Sequence, residues 1–313
     1  MIQNTRSTEK MAAAITRSAS RQTYYTIRFL ADRERVADAY RAYAYFRWVD
    51  DVIDVEAPSA AERTAFANRQ KTLLDACYRR DALPDLRPEE QMLADLVDRD
   101  REMNSGLQMY LRNMMDVMVF DAERRDRLIT QSESSEYTRK LAIAVTEAIY
   151  YFMGAEGPSG RDECRYMAVT AAHIVHMLRD TIEDVEAGYF NIPREVLASQ
   201  GISAGDITSE AYREWICRRV QTARSCFEAG RAYTAQIRNL RCRLAGYAYM
   251  ARFEWMLGAI ERDHYCLRCE YPERKSLWTG VWMGWSTLAS VLGAFWTQSA
   301  ARLAPQPIRM DRS

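Results

Sequence analysis

The sequence predicts an all-α protein, a single domain of roughly ten helices packed around a central cavity. Three observations carry this expectation. Only 13 Gly and 8 Pro punctuate 313 residues, of which 48% are hydrophobic. Apolar residues recur at helical spacing almost throughout, and no stretch keeps a period of two. The breaks are short and polar, at 56–60, 81–88, 104–106, 131–135, 154–160 and 187–206, with no linker, repeat or low-complexity tract.

Taken in order, residues 1–20 read as a flexible arm, because they are polar, basic and Ser/Thr-rich and contain no apolar signal core. Residues 21–275 form the body of the domain. Within it, Ser59 and Glu62 make a capping box for the helix after the first break. Pro158, flanked by Gly157 and Gly160, marks a stop before a helix over 161–186. Residues 276–300 carry no charge, between Lys275 and Arg302. They could form a buried helix, a membrane-facing one or a true span, although Gly, Ser, Thr and Trp dilute their hydrophobicity. Residues 301–313 are a tail.

A chain of this size buries a core large enough to enclose a ligand. Its 43 basic and 43 acidic residues cancel. No overall field therefore draws in nucleic acid, and any anion site has to be built locally. Seven cysteines, an odd number, show no spaced framework. A reduced cytoplasmic setting is expected, at the membrane surface if the last helix faces lipid. Cys266 and Cys269 form a lone C-x-x-C without the second pair that zinc needs, so they are expected to be half-buried helix cysteines.

The first chemical signal is RAYAYFRWVDDVID, residues 41–54. On a helix, Tyr40, Tyr43, Arg47, Asp50 and Asp54 share one face, while Asp51 points about a quarter-turn away. Asp50 and Asp54 can reach one divalent cation, and Arg47 sits a turn earlier, within reach of a cation and a diphosphate. The flanking Phe46, Trp48, Val49, Val52 and Ile53 are too apolar for a solvated helix end. The second signal is AAHIVHMLRDTIEDVEAGYFNIP, residues 171–193. His173, His176, Asp180 and Asp184 step by three, four and four along one stripe. Two of the chain's 3 histidines are here. Each could be a satisfied core residue, but in register with two aspartates they point to a site. Two D-x-x-x-D motifs on separate helices suit Mg²⁺, a hard ion that keeps waters and takes phosphate oxygens as partners. Such ions grip a diphosphate and stabilise its charge as it departs. The allylic cation left behind needs a dry, aromatic-lined pocket.

With these residues in hand, the chain resembles the squalene/phytoene synthase family over about residues 18–275. The likeness rests on Tyr40 through RWVDDVID and on LRDTIEDVEAGYFNIPREVL, residues 178–197. Thr23-Tyr24 resembles the family's N-terminal Ser-Phe element that touches substrate. The resemblance implies the isoprenoid synthase fold and head-to-head joining of two prenyl diphosphates through a cyclopropylcarbinyl diphosphate. It implies that Asp50, Asp54, Asp180 and Asp184 bind Mg²⁺, or Mn²⁺ in its stead, and that Arg47, Arg179 and Tyr43 face the diphosphate. His173 and His176 stand where the family usually has Gln and Asn, and His176 could still serve as a ligand, although imidazole suits Mg²⁺ less well than oxygen. The usual R-G-R-x-Y-L-P reads Ala187-Gly188-Tyr189-Phe190-Asn191-Ile192-Pro193, without both arginines and the tyrosine. The V-A-G-x-V-G stretch corresponds to residues 141–146, with Ile143 and Thr146 at the glycine positions, which would narrow or reshape the cavity.

Three functions fit. The first is a condensing prenyltransferase of squalene or phytoene type, requiring NADPH only if its product is squalene-like. The second is a divergent member that cyclises one prenyl diphosphate or prenylates another acceptor. The third is a non-catalytic binding or assembly factor that keeps the fold. Oligomeric state and substrate chain length have no signature in the sequence.

Overall fold

A computed structural model describes residues 2–57, 59–83, 85–155, 162–276 and 279–290. Its elements are helical throughout, and the described residues contain no strand. The helices are α1 (Ile2–Ala19), α2 (Arg21–Leu30), α3 (Val36–Asp51), α4 (Ala60–Arg79), α5 (Pro88–Arg99), α6 (Gly106–Arg124), α7 (Gln131–Phe152), α8 (Met167–Glu186), α9 (Arg194–Gln200), α10 (Glu210–Ala235) and α11 (Leu240–Arg262). A last helical stretch covers 279–290. Side-chain caps start several of them. Ser59 accepts from the Glu62 amide at 3.2 Å, one half of the expected capping box, while the bond to the Glu62 carboxylate, at 2.6 Å, comes from the Ser59 hydroxyl instead of its amide. Thr130 and Glu133 form the full box for α7, the Thr130 amide donating to the Glu133 carboxylate. The expected stop around Pro158 lies outside the described residues.

The first 20 residues are not an arm. Ile2–Ala19 form α1, which packs along α3 and α5. Met11 and Ile15 pack against the core beside fully buried Ala12 and Thr16, a short apolar stripe diluted by polar neighbours. Thr8 donates to Asp95 at 2.8 Å and accepts from Arg41 at 3.3 Å. Arg41, itself fully buried, is paired with Asp38 at 2.7 Å. Polar side chains satisfied by one another can share a helix interface with few apolar residues.

Two cores form. One is built by α3–α6 with Tyr45, Phe46, Leu93, Leu96 and Leu111; the other by α8, α10 and α11 with Ile174, Leu178, Ile216, Phe227 and Leu257. Helix α7 packs on both α6 and α8 and so joins them. Helices α8 and α10 come unusually close at Gly230, where an added Cβ would lie 2.7 Å from the Ala168 backbone nitrogen. Glycine there sets how deep α8, with its aspartates, lies in the bundle.

Candidate active site

The first acidic helix does not continue regularly to Asp54. Helix α3 ends at Asp51, and Val52–Glu56 form a π-helical turn, with the Ala57 amide bonded to the Val52 carbonyl at 2.9 Å. Such wide turns recur at functional sites because they re-aim side chains at the end of a helix. The apolar side of the turn is anchored by buried Val52 and Ile53, leaving Asp54 exposed. Opposite it, α8 buries Ile174, Val175 and Leu178 and turns Asp180 and Asp184 outward from that core.

Both acidic motifs line one cavity of about 470 Å³. Asp50 and Asp54 stand on one wall, Asp180 and Asp184 on another. The rest of its lining is mostly apolar or aromatic: Met118, Leu141, Val145, Met177, Tyr249 and Phe253. Burial first, and then the neighbouring Asp54 charge, push Asp50 up to about 6. Burial likewise raises Asp184 to about 6 against the opposing Asn191 hydrogen bond, with Asp180 adding to the rise. The site thus concentrates negative charge in a cavity that stays open to solvent at Asp50 and Asp54, where an entering cation is attracted.

The remaining predicted residues divide. Arg47 grips Asp51 through two nitrogens and lies 3.5 Å from Asp50, so the aspartate expected to point away anchors the arginine. Arg179 grips Asp180 and donates to His176 Nε2 at 2.9 Å, while His176 Nδ1 lies 3.1 Å from Asp180. The imidazole lone pair that would face a metal is therefore directed at Arg179. His173 lines the cavity, and burial, followed by the His176 charge, drops it to about 3, so its ring is neutral. Thr23, Tyr24, Tyr43, Arg47 and Arg179 are not among the residues lining this cavity. Thr23 donates its amide to the Ser20 cap at 3.1 Å, and the Tyr24 ring stacks on Tyr40 at 5.1 Å.

Sequence reading missed three cavity residues that connect the two walls, Asp121, Arg124 and Tyr137, and gave two more, Asn191 and Tyr189, only as replacements in the loop after α8. Asp121 and Arg124, at the end of α6, pair at 2.6 Å. Tyr137 of α7 donates to Asp121 at 3.1 Å. Asn191, in the loop after α8, donates to Asp184 at 2.6 Å and accepts from Arg124 at 3.0 Å. The Tyr189 hydroxyl donates to Asp54 at 2.9 Å. The loop is held against α6 at Gly188, whose φ is +86° and whose missing side chain leaves room for Asp126. The Asp126 amide reaches the Gly188 carbonyl at 2.8 Å, and Arg125 caps the Ala187 carbonyl at 3.1 Å.

The donor set is made of carboxylate oxygens in pairs on facing walls. Among the described residues, no three His, Cys, Asp or Glu side chains are gathered into a metal site of their own. Paired hard donors with room between them fit an ion that keeps waters and takes phosphate oxygens as its other ligands, as Mg²⁺ does. Cys266 and Cys269 are exposed and free, in the loop after α11 and not on a helix.

A family model described as squalene/phytoene synthase matches residues 16–278. The chain belongs to the squalene/phytoene synthase family. Among curated proteins it is 24% identical over 183 residues to a presqualene diphosphate synthase of Rhodopseudomonas palustris, covering 58% of this chain and 62% of the relative. It is 25% identical over 253 residues to the chloroplastic phytoene synthase 1 of Zea mays, covering 78% and 59%. The chain thus spans about three-fifths of the length of these relatives. Among solved structures, a dehydrosqualene synthase in complex with ligand superposes with a TM-score of 0.71 at 16% identity, over 93% of this chain and 99% of that one. The squalene synthase HpnC of Alicyclobacillus acidocaldarius gives 0.68 at 20% identity, over 84% and 97%. At such identities the structures establish the all-α fold.

Within the family's pattern, the altered positions have specific consequences. Helix α7 runs unbroken through 131–152, and the cavity is lined by Leu141 and Val145. Ile143 and Thr146, at the glycine positions, are buried but do not line it. The helix is continuous through both positions, and neither side chain plugs the site. Tyr189 and Asn191, which replace an arginine and the tyrosine of the usual loop, bind Asp54 and Asp184 respectively.

Proposed function

We propose that this protein is a Mg²⁺-dependent prenyltransferase that joins two prenyl diphosphates head to head. The observation that supports it most is one cavity whose lining includes the aspartates of both D-x-x-x-D motifs beside apolar and aromatic side chains. Asp50 and Asp54 on one side, and Asp180 and Asp184 on the other, would hold the ions. When bound, Mg²⁺ supplies neutralisation of the diphosphate and stabilises the charge that builds on it as it leaves.

The chain's own residues do the rest. Arg47 and Arg179 are held at the two acidic motifs by Asp51 and Asp180. An arriving diphosphate would take over part of those bonds, since guanidinium binds phosphate through paired charge-assisted hydrogen bonds. Breaking the carbon–oxygen bond sends both electrons to the departing oxygen. The allylic cation would then lie against Tyr249 and Phe253 of the cavity wall, aromatic rings that can stabilise positive charge. Neutral His173 adds no competing positive charge there.

The second reading, cyclisation of one prenyl chain, draws support from His173 and His176 on α8 and from α7 running unbroken through the two lost glycine positions. One assay separates the two. Purified protein is incubated with Mg²⁺ and C10, C15 or C20 prenyl diphosphates, with and without NADPH, and products are weighed by mass spectrometry. A C30 or C40 product, or its cyclopropylcarbinyl diphosphate, is expected. A cyclic C15 or C20 product would transfer the assignment to the second reading. Absence of diphosphate release from every substrate would leave only the non-catalytic role.

Membrane attachment at the cytoplasmic face is proposed from the last helical stretch. Val281, Trp282, Trp285 and Leu288 are 63%, 43%, 69% and 49% exposed, so the buried alternative does not hold for residues 279–290. No described helix is long and apolar enough to cross a membrane. The remainder of 276–300, at 277–278 and 291–300, and the tail 301–313 lie outside the described residues. Exposed Trp beside aliphatic residues suits the headgroup region. Truncation after Lys275 should abolish co-sedimentation with liposomes; unchanged sedimentation would remove this helix as the anchor.

A further inference from the structure

The cavity is lined by five carboxylates, Asp50, Asp54, Asp121, Asp180 and Asp184, and among its lining residues only Arg124 brings a permanent positive charge. Its side chain is 9% exposed. From one guanidinium, contacts run to three separate elements. Nε donates to Asp121 Oδ1 at 2.6 Å within α6. Nη1 donates to Asn191 at 3.0 Å, and Asn191 passes the link to Asp184 of α8 at 2.6 Å. The cation lies over the Tyr189 ring at 4.9 Å, and the Tyr189 hydroxyl holds Asp54 of the π-helical turn at 2.9 Å. It also lies over the Tyr137 ring at 4.9 Å, and Tyr137 holds the second oxygen of Asp121 at 3.1 Å.

We propose that Arg124 is a positioning residue, the resident counter-ion that holds the two acidic walls in register before divalent ions arrive. The proposal rests on the prenyl diphosphate reading for the identity of those ions. Its physical basis is that like charges crowded in a partly buried cavity push the walls apart unless a cation sits among them. A planar, five-donor guanidinium can offset charge and fix geometry together, which an ammonium does less well. Arg124 also does what the two arginines absent from the loop after α8 cannot do here. It reaches that loop from α6, through Asn191 and the face of Tyr189.

The role predicts a linkage between Arg124 and divalent ions that a merely structural arginine would not show. Melting temperatures are measured for wild type, Arg124→Met, Asp121→Asn and the double variant, in EDTA, in millimolar Mg²⁺, and in Mg²⁺ with inorganic pyrophosphate. In EDTA, Arg124→Met should melt about 5–10 °C below wild type, the loss for breaking one buried charge pair in a chain of this size. Mg²⁺ should recover at least half of that deficit, because added ions supply the missing charge. The double variant should melt above Arg124→Met in EDTA, since it also removes the carboxylate left unpaired. If Arg124→Met does not fold, the double variant still should. A deficit of equal size with and without Mg²⁺ would overturn the counter-ion role, as would a double variant no more stable than Arg124→Met. A wild type whose melting ignores Mg²⁺ and pyrophosphate would instead count against the diphosphate reading. The comparison of single and double variants in EDTA would then decide the role of Arg124 by itself.

Discussion

Asp50→Ala and Asp180→Ala should each slow diphosphate release by about 10²–10³-fold or more, the usual cost of deleting one group that stabilises departing negative charge. Each removes a ligand from a different wall of the same cavity. If the walls act as one unit, the double variant should be little worse than either single one, because non-additivity is the mark of residues that work together. The loss should not come from unfolding. Asp50 has a side chain 43% exposed, and Asp180 one 21% exposed, so neither is a keystone of the core. Removing either also relieves repulsion among the carboxylates that remain. Circular dichroism should therefore show unchanged helical content while release collapses. Near-normal release by both variants would sink the assignment of these aspartates, whatever the family.

Much of this architecture was legible because its signals are local. The Ser59 cap, the apolar spacing of α8 and the step of four between aspartates all depend on residues within two turns of one another. Contacts between distant elements carry no such mark. The Asp121–Arg124 pair reads in sequence as an ordinary surface ion pair one turn apart. Only the packing of α6 against α7 and the loop after α8 turns it into the centre of the cavity. Tyr137 was one of 18 tyrosines. Tyr189 and Asn191 looked like losses when compared with the expected motif, yet each binds an aspartate through chemistry that the replaced residue would not have used. Helix α1 was hidden for a different reason. Its fully buried positions are Ala12 and Thr16, tied to a Thr8–Arg41–Asp95 network, and Met11 and Ile15, its larger apolar residues on the core, are only partly buried. The π-helical turn at Asp54 has no composition signal at all, because it is set by how Val52 and Ile53 bury.

Acid should disarm the site more steeply than a single titrating group could. Asp50 and Asp184, on opposite walls, are both held up to about 6, each chiefly by burial. A carboxyl must lose its proton before it can hold a divalent ion, so below pH 6 each group costs up to about tenfold in apparent affinity per pH unit. If both ligands serve the same ions, the fall approaches about a hundredfold per unit. It should appear as a limiting slope near two in Mg²⁺-dependent release, and a slope of one or less would separate the two groups. Stability of the metal-free protein should move the other way. A raised carboxyl keeps its proton in the folded state between pH 4 and 6, where the unfolded chain, with an ordinary aspartate near pH 4, has already released it. The stabilisation linked to these groups is complete below the unfolded value and is lost as pH climbs through about 6. In EDTA, then, their contribution should make melting occur higher at pH 5 than at pH 7. Saturating Mg²⁺ should erase that difference or invert it, because bound ions stabilise the deprotonated pair. A Mg²⁺ response of equal size at both pH values would mean that these two carboxylates are not the ones that meet the ions.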